Sequence, residues 1–277
     1  MFGQMRTSAL GMRAGQMMLD VTAHNISNVN TTGYRSGRAN FVDLAHAAVT
    51  EMDTGAGWRS AHLSGVESAP VDVDRGHGVR GGDTAWSQRS GALMQTGVPT
   101  DLAVEGPGYL PLVAVSGRAA GYTRDGSLRM DAEGHLIHNS GAFLADGEGD
   151  AVRLARDEGI VDLEVNSRGA VSSVDADGQS EQLARLSLLV PENGQRLVSG
   201  GANTYHLVDE NGRFVGGTLR YPGEDAGLIR QGFLEGSNAD LAREMSRMIM
   251  AQRAFQINGR SLQTVDEMFE KANHLGG

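Results

Sequence analysis

The chain has 277 residues, no cysteine and a formal net charge of −10 at pH 7. This length can hold one or two domains with a sizeable core, and the lack of cysteine excludes disulfides and thiolate metal sites. The acidic balance argues against nucleic-acid binding, which needs clustered Lys and Arg. No stretch of the sequence approaches the roughly 18 consecutive apolar residues that a membrane span requires.

The N-terminal segment predicts a helix that ends in an asparagine-rich exit. Asparagine tolerates the left-handed conformation and bonds nearby backbone, so it ends helices well. We expect the glycine of the exit to supply a positive φ and the following tyrosine to anchor the chain. The apolar residues of the helix recur at intervals of four and three at Leu10, Ala14, Met17 and Val21, and the exit carries Asn25, Asn28, Asn30, Gly33 and Tyr34.

The middle of the chain predicts an extended segment followed by a β-rich domain. We expect residues 43–78 to be extended and residues 79–232 to form hairpins, because short apolar runs alternate there with turn dipeptides such as Glu133-Gly134 and Asn211-Gly212. Glycine supplies 39 of the 277 residues, about twice its average share of roughly 7%. The acidic charge is concentrated in this middle part, which indicates a solvated acidic surface.

The C-terminal segment shows the longest helical pattern. Its spacing is close to 3.5 residues, which is typical of helices that wrap around one another. An amphipathic helix packed on its own domain would give the same pattern. We expect Asn238 or Ser237 to cap the helix, with Asp240 in its first turn. The predicted seam comprises Leu241, Met245, Met248, Gln252, Phe255, Gly259, Leu262, Asp266 and Phe269, and Ile249 widens it.

These elements predict an α+β protein. Its N- and C-terminal helices pair as a coiled-coil-like stem, and a β-rich domain lies between them in the chain. The predicted domains are residues 1–42 (helix and asparagine-rich exit), 43–78 (extended segment), 79–232 (β-rich domain) and 233–277 (C-terminal helix).

The sequence patterns that could indicate catalysis or cofactor binding lack the structural elements that such motifs need around them. The run from Gly76 to Gly81 fits a G-x-G-x-x-G expression, but no helical pattern follows it to receive a phosphate. His135 and His138 would point to opposite faces of a strand, so they cannot chelate one ion. The chain also lacks a Gly-x-Ser-x-Gly nucleophile motif. We therefore expect no catalytic residue, no cofactor and no metal site.

Three blocks of sequence together resemble one family. The exit from Asn25 to Arg35 closely resembles the N-terminal motif of bacterial flagellar rod and hook proteins, with Ser27 and Arg35 where the family usually has Ala and Lys. Residues 95–109 and 121–127 resemble its central motifs, and residues 234–268 resemble its C-terminal end. Within the family, the C-terminal sequence and the chain length are most similar to those of a distal-rod subunit. A proximal-rod subunit is the second choice, and a hook subunit fits less well.

The resemblance implies a structural subunit of the flagellar basal body that is not an enzyme. Such a subunit assembles with itself into a hollow helical tube, contacts adjacent rod and hook proteins and transmits torque from motor to hook. It is exported by the flagellar type III apparatus without a cleaved signal peptide, and its terminal helices are expected to order on assembly. An adhesion or binding module dimerised by its helices is the alternative from a different class.

The same resemblance implies that both terminal segments form the self-assembly interface. Its candidate residues are Leu10, Met17, Val21, Asn25, Asn28, Asn30, Gly33, Tyr34, Asn238, Leu241, Met245, Met248, Ile249, Gln252, Phe255, Leu262 and Phe269.

Overall fold

The computed structural model describes residues 2–43, 79–154, 160–175, 180–192, 196–209, 211–223 and 225–275. Apart from its first residue, the predicted extended segment 43–78 lies outside these residues. The described residues hold two helices, α1 (Phe2–Ser27) and α2 (Leu241–Leu275), with eighteen strands between them in the chain. This order of helix, β-rich region and helix confirms the predicted α+β class.

The strands are short, as expected for a chain rich in turn glycines. They are β1 (Gly37–Asp43), β2 (Val79–Trp86), β3 (Leu93–Gln95), β4 (Leu102–Glu105), β5 (Leu110–Val113), β6 (Ala119–Thr123), β7 (Arg129–Met130), β8 (Leu136–Ile137), β9 (Phe143–Leu144), β10 (Ile160–Val165), β11 (Ala170–Asp175), β12 (Ser180–Arg185), β13 (Leu188–Leu189), β14 (Arg196–Gly201), β15 (Thr204–Val208), β16 (Leu219–Arg220), β17 (Leu228–Gln231) and β18 (Phe233–Glu235).

The largest sheet has seven strands in the order β14-β15-β6-β5-β9-β8-β7. Strands β10, β11 and β12 form a three-stranded antiparallel meander. The remaining strands pair in twos, as β1 with β2, β13 with β16, β17 with β4 and β18 with β3. The last two ribbons each pair a strand just before α2 with a strand more than 120 residues earlier.

Two apolar clusters form the interior of the β-rich part. The larger is built from aliphatic side chains of the short strands, and the smaller is aromatic at its centre. The larger contains Leu102, Val104, Leu110, Leu128, Leu136, Leu144, Val152, Leu154, Val165, Val171, Leu186, Leu188 and Ile229, and the smaller contains Tyr109, Leu189, Leu197, Tyr205 and Leu207.

Glycines close the turns between several strands. Gly134 has a φ of +87° between β7 and β8, and Gly212 has a φ of +76° in the turn that follows β15. Each donates its N–H to the carbonyl three residues earlier, Asp131 and Asp209 respectively. The Glu-Gly and Asn-Gly dipeptides therefore form turns as the sequence predicts.

The chain divides into two compact units. The helical unit comprises Met1–Ser27, Gly37–Ala85 and Asp240–Gly277, and the β unit comprises Asn28–Ser36 and Trp86–Ala239. Among the described residues, α1, α2, β1 and nearly all of β2 therefore belong to the helical unit. The predicted domains divide the chain differently, because they keep residues 28–36 with the first helix.

The start of α2 corrects the predicted cap. Asp240 is the N-cap, because its Oδ1 accepts hydrogen bonds from the backbone N–H groups of Ala242 (3.0 Å) and Arg243 (3.2 Å). Asn238 is used elsewhere, and the Ser237 hydroxyl accepts a bond from the N–H of Ala239, before the helix begins. A carboxylate at this position also suits the positive end of the helix dipole.

Candidate functional site

The helices α1 and α2 lie side by side in the helical unit and run antiparallel. Ser8 Oγ, near the start of α1, lies 3.3 Å from Ser261 Oγ in the second half of α2. At the other end of α1, Asn25 Nδ2 donates to Glu244 Oε2 over 3.2 Å. Contacts therefore move towards the start of α2 as the chain advances along α1.

The faces that α1 and α2 turn towards each other carry small and polar side chains. A Cβ added to Gly15 would lie 3.4 Å from Phe255 Cβ, and one added to Gly11 would lie 2.8 Å from the Asn258 side chain. The helices can approach this closely because no large side chain separates them at these points. Where burial is described, the buried residues of the two helices are Ser8, Gly15, Thr22 and Asn25 on α1, and Glu244, Ala251 and Val265 on α2.

Asn25 joins three elements of the helical unit through its side-chain amide. Its Oδ1 accepts from the N–H of Gly37, and its Nδ2 donates to the carbonyl of the same residue, each over 2.9 Å. The same Nδ2 reaches Glu244, whose other oxygen accepts from Arg247 Nη1 over 2.7 Å. Asparagine suits this buried position because it offers a donor and an acceptor without a charge.

Residues 31–36, which we call the strap, are bonded to the rest of the β unit. Thr32 Oγ1 donates to Asp125 Oδ1 over 2.8 Å, and Asn203 Nδ2 donates to the Thr32 carbonyl over 2.9 Å. Gly33 has a φ of +64° and donates its N–H to the carbonyl of Glu235. A Cβ at Gly33 would collide with the Asp125 backbone, so glycine is required there for both conformation and space.

Asn238 bonds to the strap at two residues. Its Oδ1 accepts from the N–H of Ser36 over 2.7 Å, and its backbone N–H donates to the carbonyl of Tyr34. Its Nδ2 donates to the carbonyl of Arg89 over 2.7 Å. The residue that the sequence suggested as a helix cap therefore holds the strap against the segment that follows β2.

Three buried charged residues form a cluster that we call the clamp, and one of them, Arg35, is part of the strap. Arg35 Nη2 is 3.0 Å from Glu235 Oε1, and Arg124 Nη1 is 3.1 Å from Glu235 Oε2. All three side chains are at most 2% exposed. The clamp contains two cations and one anion, so backbone carbonyl groups accept the remaining guanidinium hydrogen bonds. Arg35 donates to the carbonyl of Arg89, and Arg124 Nη2 donates to the carbonyl of Gly106.

The pKa shifts around the clamp follow from burial. Burial lowers the pKa of the Arg124 guanidinium, the charge of Arg35 lowers it further, and Glu235 opposes both. Burial raises the pKa of Tyr205 to about 12, although its oxygen accepts a bond from the backbone N–H of Arg35. The rings of Tyr205 and Tyr109 meet edge to face with centroids 5.7 Å apart.

Asp125 is a buried carboxylate held in its ionised form. Burial raises its pKa, but the neighbouring His138 ring and hydrogen bonds from Ser127 and Thr32 outweigh burial and hold the pKa below its ordinary range. His138 Nε2 lies 3.6 Å from Asp125 Oδ2, while its Nδ1 accepts from the N–H of Ser140. His135 instead stacks on the ring of Phe143 and pairs with Asp131, so the two histidines have separate partners.

No group of three or more His, Cys, Asp or Glu side chains in the described part of the chain is placed to hold a metal ion. Neither α1 nor α2 combines the length and apolar character that crossing a membrane requires.

Comparison with known proteins identifies three matching regions. Residues 5–35 match the flagella basal body rod protein family, residues 103–173 match the flagellar hook protein FlgE/F/G D1 domain, and residues 230–275 match the flagellar basal body rod FlgEFG protein C-terminal family. The chain is 33% identical to the flagellar basal-body rod protein FlgG of Borreliella burgdorferi, with 97% of each chain covered. It is 32% identical to FlgG of Bacillus subtilis (96% of each covered) and 30% identical to FlgG of Caulobacter vibrioides (98% of each).

The chain belongs to the flagellar basal-body rod family. Because these relatives are FlgG proteins matched over nearly their whole length, it is a structural subunit of the distal rod in the flagellar basal body, and it is not an enzyme. The predicted family and distal position are thereby confirmed. The proximal-rod, hook and adhesion alternatives are not needed to explain the sequence.

The C-terminal seam of the rod subunit divides between two faces of α2. Met248, Leu262 and Phe269 are half-buried on the face towards α1. Phe255 touches Gly15 of α1 with its Cβ but keeps 39% of its surface exposed. Of the remaining predicted residues, Gly259 is half-buried, and the others are exposed in the single subunit: Leu241, Met245, Ile249, Gln252 and Asp266.

The N-terminal candidates of the rod subunit are distributed in the same way. Leu10, Met17 and Val21 are half-buried beside the deepest positions of α1, and Met17 Sδ lies against Gly81 of β2. Asn28 is half-buried and Asn30 exposed in the turn after α1. Asn25, Gly33, Tyr34 and Asn238 make the intramolecular contacts described above, within one subunit.

Sequence reasoning missed the residues that carry most of the buried polar contacts of the rod subunit. The clamp residues Arg124 and Glu235 and the carboxylate Asp125 were not singled out, although Arg124 and Asp125 lie inside the central motif and Glu235 inside the C-terminal motif. The charge of these residues could have identified them, because an ionisable residue inside a β-rich core needs a partner of opposite charge or hydrogen bonds.

Proposed function

We propose that the subunit polymerises with helical symmetry into a hollow tube, in which α1 and α2 form a coiled-coil-like stem. A heterologous contact that does not close into a ring generates such a filament. A rigid tube of this kind transmits torque from the motor to the hook. The observation that carries the proposal is the apolar surface that α2 leaves exposed after pairing with α1.

That surface consists of two strips. The first strip has residues spaced by four, and the second lies further round the helix at intervals of seven and eleven. The first strip begins beside the face that packs on α1 and turns towards the opposite side of the helix, and the second strip lies along the other flank. The first strip is Leu241, Met245 and Ile249, and the second is Met250, Ile257 and Met268, all between 41% and 67% exposed.

A polar ridge separates the two strips on the side of α2 opposite α1. It is formed by Ser246, Arg253, Arg260, Thr264 and Lys271, all exposed. A helix with apolar contacts on three sides and a polar fourth side suits a tightly packed tube in which the polar side faces water. Burying the rest of each exposed strip residue stabilises the contact by about 1 kcal/mol, so six such residues give neighbouring subunits a substantial share of the stability of α2.

The remaining parts of the proposal concern assembly. Among the apolar side chains of α2 whose burial is described, the single subunit fully buries Ala251 and Val265, which favours terminal helices that become fully ordered on assembly. Loosely ordered ends would suit export through the narrow channel of the flagellar type III apparatus. The partners are other copies of this chain and the adjacent rod and hook proteins.

The test is a charge placed in the first strip. Ile249→Asp should prevent filament formation by the purified chain and abolish swimming of cells that carry it, because each contact would bury an unpaired carboxylate. The matched control is Ser246→Asp, which adds the same charge to the polar ridge one turn earlier and should assemble normally. Electron microscopy and sedimentation measure filaments, and thermal unfolding checks the β unit. Filaments of normal length from Ile249→Asp would contradict the proposal.

A further inference from the structure

Methionine supplies much of the apolar character of the two terminal helices. α1 and α2 each contain four of the 12 methionines of the chain. The flexible methionine side chain fills irregular apolar contacts well, but its thioether sulfur is open to oxidation. Because the chain has no cysteine, its methionines carry all of the sulfur atoms that a peroxide can oxidise.

Three methionines of α2 belong to the exposed strips of the single subunit. Met245 lies in the first strip with 50% of its surface exposed, and Met250 and Met268 lie in the second with 59% and 53% exposed. Met248, on the face towards α1, is half-buried. Each strip that the proposed function assigns to contacts between copies therefore contains methionine that solvent reaches before assembly. Incomplete ordering of the helix in the monomer only increases that access.

Oxidation changes the chemical character of such a contact. The methionine sulfur attacks one oxygen of hydrogen peroxide, the O–O bond breaks, and the attacked oxygen passes its proton to the leaving hydroxide. The sulfur loses two electrons and the peroxide gains them, so the products are a sulfoxide and water. The sulfoxide oxygen is a hydrogen-bond acceptor, whereas the neighbouring strip residues Leu241, Ile249 and Ile257 have no side-chain donor. Burying an acceptor without a donor is unfavourable.

We propose that Met245, Met250 and Met268 are oxidation sites that control assembly. A subunit oxidised by a peroxide at these positions is excluded from the rod, and a subunit already in the rod is protected. The inference rests on the proposed function, because it needs the strips to be contacts between copies. It goes beyond polymerisation, since leucine at all three positions would keep the strips apolar without the sensitivity. Methionine sulfoxide reductases restore the thioether, so the exclusion is reversible.

The first test partially oxidises the purified monomer with hydrogen peroxide and then allows filaments to form. Sedimentation separates filaments from unassembled chains, and mass spectrometry measures the sulfoxide at each methionine in both fractions. Sulfoxide at positions 245, 250 and 268 should be depleted in filaments by about tenfold or more. Met94 and Met130 of the β unit, each 48% exposed, are the internal reference and should be equally oxidised in both fractions. Equal sulfoxide in both fractions at the three strip positions would overturn the proposal.

The second test replaces the strip methionines by leucine, which has a similar volume and is also apolar. The triple variant Met245→Leu with Met250→Leu and Met268→Leu should form filaments both before and after peroxide treatment. The matched control Met94→Leu with Met130→Leu should lose assembly after treatment, as the parent does. Loss of assembly by the treated triple variant would also refute the proposal, because other methionines would then account for the sensitivity. If the untreated triple variant formed no filaments, the fractionation of the parent chain would still decide.

Preformed filaments and the excluded chains complete the test. Peroxide should oxidise positions 245, 250 and 268 at least about tenfold more slowly in filaments than in the monomer. Treatment of the excluded chains with methionine sulfoxide reductases should return them to filaments.

Failure of this inference can be told apart from failure of the proposed function. Normal assembly of Ile249→Asp would mean that the strips are not contacts, which would overturn both. Loss of assembly by Ile249→Asp, together with normal assembly of chains oxidised in the strips, would leave the rod contact standing and overturn the oxidation sites alone.

Discussion

At the scale of single residues, the family motifs are explained by contacts inside one subunit. Gly33 is needed because a side chain would meet the Asp125 backbone, and its positive φ confirms the expectation from sequence. For the asparagines, the expected left-handed backbone is not found at Asn28 and Asn30, which keep negative φ values, whereas the expected bonding to nearby backbone is found at Asn25. Asn25 works through hydrogen bonds of its side-chain amide to Gly37 and Glu244.

Tyr205 makes the β unit sensitive to alkaline pH. Its pKa in the folded chain is about 12, against 10.0 for an exposed tyrosine. The unfolded chain therefore loses this proton first, so the contribution is fully present below pH 10 and is lost as the pH rises through 12. We expect Tyr205 to account for about 3 kcal/mol of the fall in unfolding free energy across that interval.

Denaturant unfolding at a series of pH values measures this contribution. The comparison is with Tyr205→Phe, which cannot ionise and should show a shallower fall between pH 10 and 12. The variant also loses the bond from the Arg35 N–H, so its stability at pH 7 is the reference for each curve. Parallel curves for the two chains would show that Tyr205 does not titrate in this way.

At the scale of elements, the helical pattern of α2 predicted one edge of the contact with α1 and misplaced the other. Met248, Leu262 and Phe269 lie towards α1 as predicted. The deepest positions between them are 244, 251 and 265, each one residue before the predicted 245, 252 and 266. The side chains of α1 explain this shift in the buried positions of α2. Glycine and serine on α1 admit a close backbone, so Ala251 and the bonded Glu244 fit where larger apolar residues would not.

The close approach predicts a specific sensitivity on α1. Gly15→Leu should push the helices apart and destabilise their pairing by about 1–3 kcal/mol, because overpacking a tight contact forces rearrangement. Gln16→Leu, on the exposed neighbouring position, adds the same side chain and should have little effect. Far-ultraviolet circular dichroism during heating reports the pairing, and so does the rate of disulfide formation between Ser8→Cys and Ser261→Cys, whose hydroxyl oxygens are 3.3 Å apart in the parent chain. Equal behaviour of the two variants would contradict close packing at Gly15.

At the scale of the whole molecule, the order of elements was predictable and the long-range contacts were not. Alternating apolar runs and turn glycines gave a β-rich middle, because hairpins are encoded over a few residues. The pairing of Arg35 with Glu235 joins positions 200 residues apart, and no local pattern specifies it. The same holds for the strands β17 and β18, which pair with β4 and β3 across more than 120 residues.

The assignment of residues 28–36 to the β unit shows the same limit. Their sequence predicts a helix exit, which they are, but their bonding partners lie at Asp125, Asn203, Glu235 and Asn238. Periodicity reveals which face of an element is buried and does not reveal what covers it. The described contacts give these motif residues roles within one subunit, and their part in self-assembly stays a prediction.

The central claim is that neighbouring copies complete the burial of α2. Hydrogen–deuterium exchange, measured peptide by peptide on the dilute monomer and on assembled filaments, tests it most directly. We expect peptides of residues 241–275 to exchange fast in the monomer and to become strongly protected in filaments, while the β unit core is protected in both. Equal and strong protection of these peptides in the monomer would mean that α1 alone satisfies α2, and would contradict the account.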